Sequence, residues 1–145
     1  MTLVDRLLIL AIAAQVLLTL GILVWMGMER VPRVARGEIA VKDIAVDRDA
    51  YPLRARLLSN SFDNQFQLPV LFYAAALLAL WSGGAGWIEL TLAWLFVVLR
   101  YAHATVHVST NRVYQRFAFY TAGLVVLGLL WVWLVLRLVV LAPSI

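Results

Sequence analysis

Residues 7–28, with the sequence LLILAIAAQVLLTLGILVWMGM, decide the class of fold because they form 22 consecutive positions without a charged side chain. About 20 helical residues cross the hydrocarbon layer of a bilayer, which is roughly 30 Å thick. The whole chain has the same character, since 64% of its 145 residues are hydrophobic and 14% are charged. A soluble domain has about 45–50% apolar and 25% charged residues. The sequence therefore excludes a soluble globular domain and predicts an integral membrane protein.

Three further apolar segments follow the first. Residues 68–88 and 117–136 are uncharged runs of 21 and 20 residues. Residues 90–99 are apolar for only 10 positions, but a chain without this crossing would need a long apolar connection outside the membrane. We therefore predict one all-α, four-span domain over residues 1–145, a four-helix transmembrane bundle with spans at about 4–28, 66–86, 88–109 and 114–140.

The basic residues indicate how the spans are oriented. Nine of the 12 Lys and Arg residues flank the first and third connections: Arg30, Arg33, Arg36, Lys42, Arg48, Arg54, Arg56, Arg112 and Arg116. Cytoplasmic loops carry such an excess, so we expect the first connection, at residues 29–51, and the third to be cytoplasmic and both termini to be non-cytoplasmic. This explains the net charge of +4 without a nucleic-acid partner.

A polar stripe follows the second helix, which the pair Tyr51-Pro52 predicts to begin at about residue 52, outside the bilayer. Four polar side chains fall within about 60° of one another on a helical wheel: Arg56, Asn60, Asp63 and Gln67. Pro69 then predicts a kink near the membrane boundary.

The third helix carries a second polar stripe, formed within about 80° of the wheel by Arg100, His103, His107 and Asn111. An ionised group at the depth of Arg100 costs about 2.5–3.5 kcal/mol unless it is paired or hydrated. We therefore predict an ion pair with Asp63 or a water-bridged equivalent. The two histidines have no evident third metal ligand, so we predict no metal site.

The start of the fourth helix predicts an anion site. Ser109-Thr110-Asn111 supplies residues typical of a helix N-cap, and Arg112, Arg116 and Tyr120 follow on one helical face. Because a helix N-terminus carries about half a positive charge, two arginines there indicate a bound anion. The chain has no cysteine, so thiol chemistry would need a thiol from a substrate.

With these motifs the sequence resembles the MAPEG family, the membrane-associated proteins in eicosanoid and glutathione metabolism, and in particular its microsomal glutathione transferases. Arg100-Tyr101-Ala102-His103 is similar to the family's Arg-x-x-His motif, and Arg112, Arg116 and Tyr120 follow at matching separations. Ahead of Pro69, the family's arginine, asparagine and glutamate are matched more loosely by Arg54, Arg56, Asn60 or Asn64, and Gln65. Gln65 replaces the glutamate, and His107 replaces an expected tyrosine.

The resemblance implies a homotrimer with sites between subunits and glutathione as the co-substrate. We expect a glutathione-dependent transferase or peroxidase that contacts membrane lipid and acts on a lipophilic small-molecule electrophile, with the thiolate stabilised by Arg116. Arg116 and Tyr120 are the catalytic candidates. The candidates for binding glutathione are Arg56, Asn60, Asn64, Gln65, Arg100, His103, His107 and Arg112.

Three alternatives remain open at this point. A non-catalytic trimer would bind an anionic lipid or another anion through the same arginine cluster. The polar stripe of the third helix would also serve as a network that holds helices or subunits together. A small transporter or proton-linked channel is the third alternative.

Overall fold

The computed structural model describes residues 1–45 and 49–141 of the chain. Within these residues the secondary structure is helical throughout. The helices are α1 (Leu3–Ala35), α2 (Leu53–Asp63), α3 (Leu68–Trp81), α4 (Trp87–Val108) and α5 (Val113–Val135), with 3-10 turns at Val41–Ile44 and Asn64–Phe66 and a π-helical turn at Leu136–Val140. Arg48, one of the basic residues of the first connection, lies outside the described residues.

The described residues contain four segments long and apolar enough to cross a membrane: Leu3–Ala35, Leu53–Trp81, Trp87–Val108 and Val113–Val140. The second segment combines α2 and α3, and the fourth combines α5 with the π-helical turn. The prediction of an all-α bundle with four membrane-spanning helices is confirmed.

The four segments run up and down, so that the connections alternate between two ends of the bundle. Asp49 of the first connection and Asn111 of the third line the same cavity at one end, which we call the arginine-rich end. At the opposite end, the guanidinium of Arg137 donates to the carbonyl of Gly84 in the second connection (3.1 Å). Asp5 of α1 contacts the same connection through the N–H of residue 85, so the first residues of α1 and the turn after α5 lie at the same end.

Small and aromatic side chains form the centre of the bundle. Ala75, Ala76 and Ala79 of α3 are at most 2% exposed, and such small residues let helices approach closely inside a membrane. Phe72 of α3 stacks on Phe96 of α4 with the ring centroids 4.9 Å apart. Apolar side chains on the outer helix faces stay exposed, which suits a surface whose solvent is lipid.

Aromatic side chains also connect the helices through hydrogen bonds. The indole Nε1 of Trp94 on α4 donates to the carbonyl of Leu7 on α1 (3.2 Å). The indole of Trp131 on α5 donates to the carbonyl of Leu71 on α3 (3.2 Å). Each bond gives a polar N–H group in an apolar environment a partner on the neighbouring helix.

Buried carboxylates hold the opposite end together. Glu89 of α4 has a side chain only 2% exposed, and its Oε1 lies 2.6 Å from Nη1 of Arg137. Its Oε2 accepts from the N–H of Gly86 (3.1 Å). Asp5 caps the start of α1 together with Thr2 and accepts from the N–H of residue 85 through Oδ1 (2.9 Å). The second connection is thus fixed to both α1 and α5.

The second membrane-spanning segment is interrupted ahead of Pro69. The α-helical pattern ends at Asp63, the next three residues form a 3-10 turn, and Gln67 has φ −102° and ψ −104° before α3 begins. Proline has no N–H to continue the ladder, and its ring crowds the preceding turn. The interruption lies where the sequence predicted a kink. The helix does not merely bend there, because Gln67 leaves the helical conformation and separates α2 from α3.

Candidate ligand-binding site

Two cavities meet at the arginine-rich end. The outer cavity, about 330 Å³, is lined by Asp49, Leu53, Arg56, Leu57, Asn60, Asn111 and Arg116. The inner cavity, about 230 Å³, is lined by Asn64, Gln67, His103, Val113, Arg116, Phe117 and Tyr120. Arg116 lines both. Taken together they reach the range of small-molecule pockets, which is about 300–1,000 Å³.

Arg116 is held in place by the loop that precedes α5. Its Nη1 donates to the side-chain Oδ1 of Asn111 at 2.8 Å. The segment Ser109-Thr110-Asn111 was expected to supply the N-cap of the fourth helix, but that prediction is wrong: the N-cap residue is Arg112, without a side-chain cap bond. Asn111 adopts a left-handed backbone conformation with φ +48°.

Tyr120 forms the far wall of the inner cavity. Its hydroxyl donates to Oε1 of Gln67 at 3.4 Å, so that α5 contacts the break between α2 and α3. Its ring lies 5.8 Å from the ring of His103 on α4. A hydroxyl, an imidazole and a guanidinium therefore line one small cavity, and each of these groups can donate a hydrogen bond to an anion.

Arg56 brings a second cation to the outer cavity. Its Nη1 lies 2.8 Å from Oδ1 of Asp49, and the two side chains are 39% and 77% exposed. A pair this exposed contributes about 0–1 kcal/mol, so an incoming carboxylate would displace it readily. Arg112, by contrast, is exposed and lines neither cavity. The structure therefore brings Arg56 and Arg116 together and leaves Arg112 outside.

Behind the inner cavity lies a buried cation. Arg100 is 1% exposed, and its Nη2 donates to the main-chain carbonyl of Asn64 at 2.9 Å. Nε and Nη1 of Arg100 have no hydrogen-bond partner among the described residues. The contact found for the Arg100 guanidinium is thus a main-chain carbonyl, where the sequence predicted an ion pair with Asp63, an exposed residue. A water-bridged contact between the two stays a prediction.

The two histidines occupy different positions. His103 lines the inner cavity, whereas His107 is 2% exposed and packs edge to face against His103 with the ring centroids 5.6 Å apart. Both ring nitrogens of His107 lack a hydrogen-bond partner among the described residues. His107 therefore stands behind the cavity wall.

Gln65 points away from both cavities. Its Oε1 accepts from Nε2 of Gln15 on α1 at 3.0 Å, and its Nε2 donates to the carbonyl of Ser61. Both glutamines are at most 1% exposed. Gln65, the predicted counterpart of the family's glutamate, thus connects the end of α2 to α1.

Six of the candidates named from the sequence line the cavities: Arg56, Asn60, Asn64, His103, Arg116 and Tyr120. Sequence reasoning did not assign a site role to Asp49, Gln67 or Asn111. Gln67 already belonged to the polar stripe of the second helix, which was the signal for it. Asn111 lies five residues before Arg116, a spacing that suggests no contact on a regular helix.

Comparisons with known proteins give one match. The model of the MAPEG family matches residues 8–136, which is most of the chain. Searches of curated proteins and of solved structures found no match.

Proposed function

The chain belongs to the MAPEG family, and from that premise we propose that it is a glutathione-dependent transferase or peroxidase that acts on a lipophilic electrophile. The family is one of integral membrane proteins and includes glutathione transferases, peroxidases and non-catalytic members. Family membership alone therefore leaves the activity open. The proposal rests on the arrangement of the two cavities around Arg116.

The observation that supports the proposal is the position of Arg116 where the outer and inner cavities meet. The outer cavity holds a second cation, Arg56, and suits the two carboxylates of glutathione. The inner cavity places Tyr120 and His103 beside apolar side chains and suits the thiol end. A peptide that lies across both cavities would bring its sulfur close to the membrane, where a lipophilic electrophile is concentrated.

The proposed step is the attack of the glutathione sulfur on an electrophilic carbon. The thiol proton goes to water, the sulfur electron pair forms the new C–S bond, and the leaving group departs with its bonding pair. Arg116 and Tyr120 stabilise the thiolate by charge and by hydrogen bonding.

Thiolate formation alone would accelerate this step only slightly. A thiol pKa lowered from about 8.5 to about 6.5 raises the thiolate fraction at pH 7 about 25-fold. Nucleophilicity falls about eightfold in return, for a Brønsted slope near 0.45. The net gain is about threefold, so the main contribution must come from holding both reactants in position.

We also propose the orientation and assembly that this chemistry needs. The arginine-rich end faces the cytosol, following the positive-inside rule, and both termini lie on the other side. The chain forms a homotrimer, as the resemblance to microsomal glutathione transferases implies. Within one chain, α2 and α5 already line a common cavity, and a neighbouring subunit would add to its open side.

One observation favours a second function. Gln65 has no charge and is bonded to Gln15, so the chain does not place this side chain in either cavity. If glutathione recognition has been lost, the same arginines would bind an anionic lipid headgroup in a non-catalytic trimer. Anionic lipid that co-purifies and is not displaced by glutathione would support this function.

Equilibrium binding of glutathione to the detergent-solubilised protein tests the proposal. Arg116→Ala removes a charged hydrogen-bond donor worth about 1.5–3 kcal/mol, so we expect affinity to fall about 10- to 150-fold. Lys42→Ala removes one positive charge from the exposed first connection and should leave affinity unchanged. Conjugation of a model electrophile should fall with binding. No measurable binding at millimolar glutathione would contradict the proposal.

A further inference from the structure

The loop between α4 and α5 contains a residue with an unusual backbone. Asn111 has φ +48°, the one positive φ of a residue other than glycine in residues 1–45 and 49–141. Its N–H donates to the carbonyl of Val106 at 2.8 Å and closes the end of α4. Asparagine tolerates this left-handed region better than most residues. The backbone of Asn111 is therefore fixed by its own conformation and by α4.

The side chain of Asn111 transmits this fixed position to Arg116. Its Oδ1 accepts from Nη1 of Arg116 at 2.8 Å, which is within the normal range for a strong charged hydrogen bond. An arginine side chain has several rotatable bonds and loses rotamer entropy when it is held in one position. The hydrogen bond to Asn111 orders the Arg116 side chain before any ligand binds.

We infer that Asn111 is a positioning residue, whose carboxamide holds the Arg116 guanidinium at the junction of the outer and inner cavities. A ligand anion then meets a donor that is already oriented, and part of the ordering entropy is removed from the binding step. For glutathione as that anion, the inference rests on the proposed function. The orientation of Arg116 itself does not.

An uncharged acceptor such as the Asn111 carboxamide suits a residue that positions Arg116 for an anion. Arg56 has a carboxylate partner in Asp49, which an incoming anion must displace. Asn111 orients Arg116 without cancelling its charge, so the full cation is available to a ligand. An aspartate at position 111 would keep an acceptor in the same loop but would neutralise the guanidinium.

The first test observes Arg116 directly and needs no ligand. In protein labelled with ¹⁵N-arginine in detergent micelles, the Nε–H signal of Arg116 is assigned by its loss in Arg116→Ala. We expect an order parameter near that of the rigid backbone, about 0.85, and a fall below about 0.6 in Asn111→Gly. Glycine keeps the positive φ, so the loop conformation stays accessible. Thr110→Gly loosens the same loop without removing the acceptor and should leave Arg116 ordered.

An Arg116 signal that is equally ordered in Asn111→Gly and in the native protein would overturn the inference. So would a native Arg116 that is already mobile. Asn111→Asp should keep the side chain ordered, because the acceptor is retained.

The second test measures glutathione affinity in a double-mutant cycle. Holding one long side chain is worth about 0.5–1.5 kcal/mol, so Asn111→Gly should weaken binding about 2- to 12-fold. In an Arg116→Ala background the same change should have no effect, since Asn111 acts through Arg116. A merely structural role would give the same loss in both backgrounds and would contradict the inference.

Asn111→Asp should also bind more weakly than the native chain, despite an ordered Arg116. Equal or tighter binding would refute the argument for a neutral acceptor. If the native chain binds no glutathione, the proposed function fails, and the order of Arg116 still decides the role of Asn111.

Discussion

Removing the arginine that pairs with buried Glu89 should destabilise the fold more than any exposed substitution. Arg137→Met places a long uncharged side chain in the π-helical turn after α5 but leaves the Glu89 carboxylate, 2% exposed, without its cation. Breaking a buried pair from one side costs about 3–5 kcal/mol. Because the Arg137 side chain is 22% exposed, water can reach part of the site, and we expect the lower limit of about 3 kcal/mol.

The expected loss corresponds to a change of about 150-fold in the unfolding equilibrium. It can be measured by titrating detergent-solubilised protein with sodium dodecyl sulfate and following circular dichroism. The double variant Arg137→Met with Glu89→Gln has no bare charge, so it should recover most of the stability. Arg36→Met, at the exposed end of α1, is the matched control and should stay within about 0.5 kcal/mol of the native chain.

The reasoning would be refuted in either of two ways. A single variant Arg137→Met as stable as the control would show that the pair contributes nothing. A double variant as unstable as the single variant would show that the loss comes from the other hydrogen bonds of Arg137, which reach the second connection.

Two further predictions use the same titration. Gly83 and Gly84 have φ +99° and +106°, and a Cβ on Gly84 would lie 3.1 Å from Oδ1 of Asp5, whereas one on Gly83 meets nothing within 4 Å. Gly83→Ala should therefore lower the free energy of unfolding by about 1–3 kcal/mol through backbone strain. Gly84→Ala should lower it further because of the contact with Asp5, and equal losses for the two variants would contradict that contact. Gln15→Leu leaves Oε1 of Gln65 without its donor and should cost about 0.6–1.7 kcal/mol. Adding Gln65→Leu removes that oxygen and should recover part of the lost free energy; a further loss would contradict the explanation by an Oε1 without its donor.

The helices could be predicted from the sequence because lipid imposes a simple rule. Uncharged runs of about 20 residues must cross as helices, since a bilayer offers no partner to an open backbone. The same reasoning located the break near Pro69, because the effect of proline on the preceding turn is local. Position on a helical face also identified Arg116 and Tyr120 as neighbours.

Contacts that depend on more than one element could not be predicted in this way. The pairing of Arg100 with Asp63 assumed that a buried cation takes the nearest carboxylate, yet it binds the carbonyl of Asn64 at the end of α2. The segment Ser109-Thr110-Asn111 was interpreted as a cap because its residue types favour N-caps, but asparagine favours left-handed turns as well. Only the path of the chain between α4 and α5 distinguishes the two.

The indole hydrogen bonds between neighbouring helices make the protein its own optical probe. Trp94 and Trp131 donate to carbonyls of α1 and α3, so separation of either helix pair would release an indole N–H into lipid or water. Their emission wavelengths would then report the spacing of two specific interfaces without any attached dye. In a variant that keeps Trp94 or Trp131 as its single tryptophan, with the others replaced by phenylalanine, the emission would report on one helix pair.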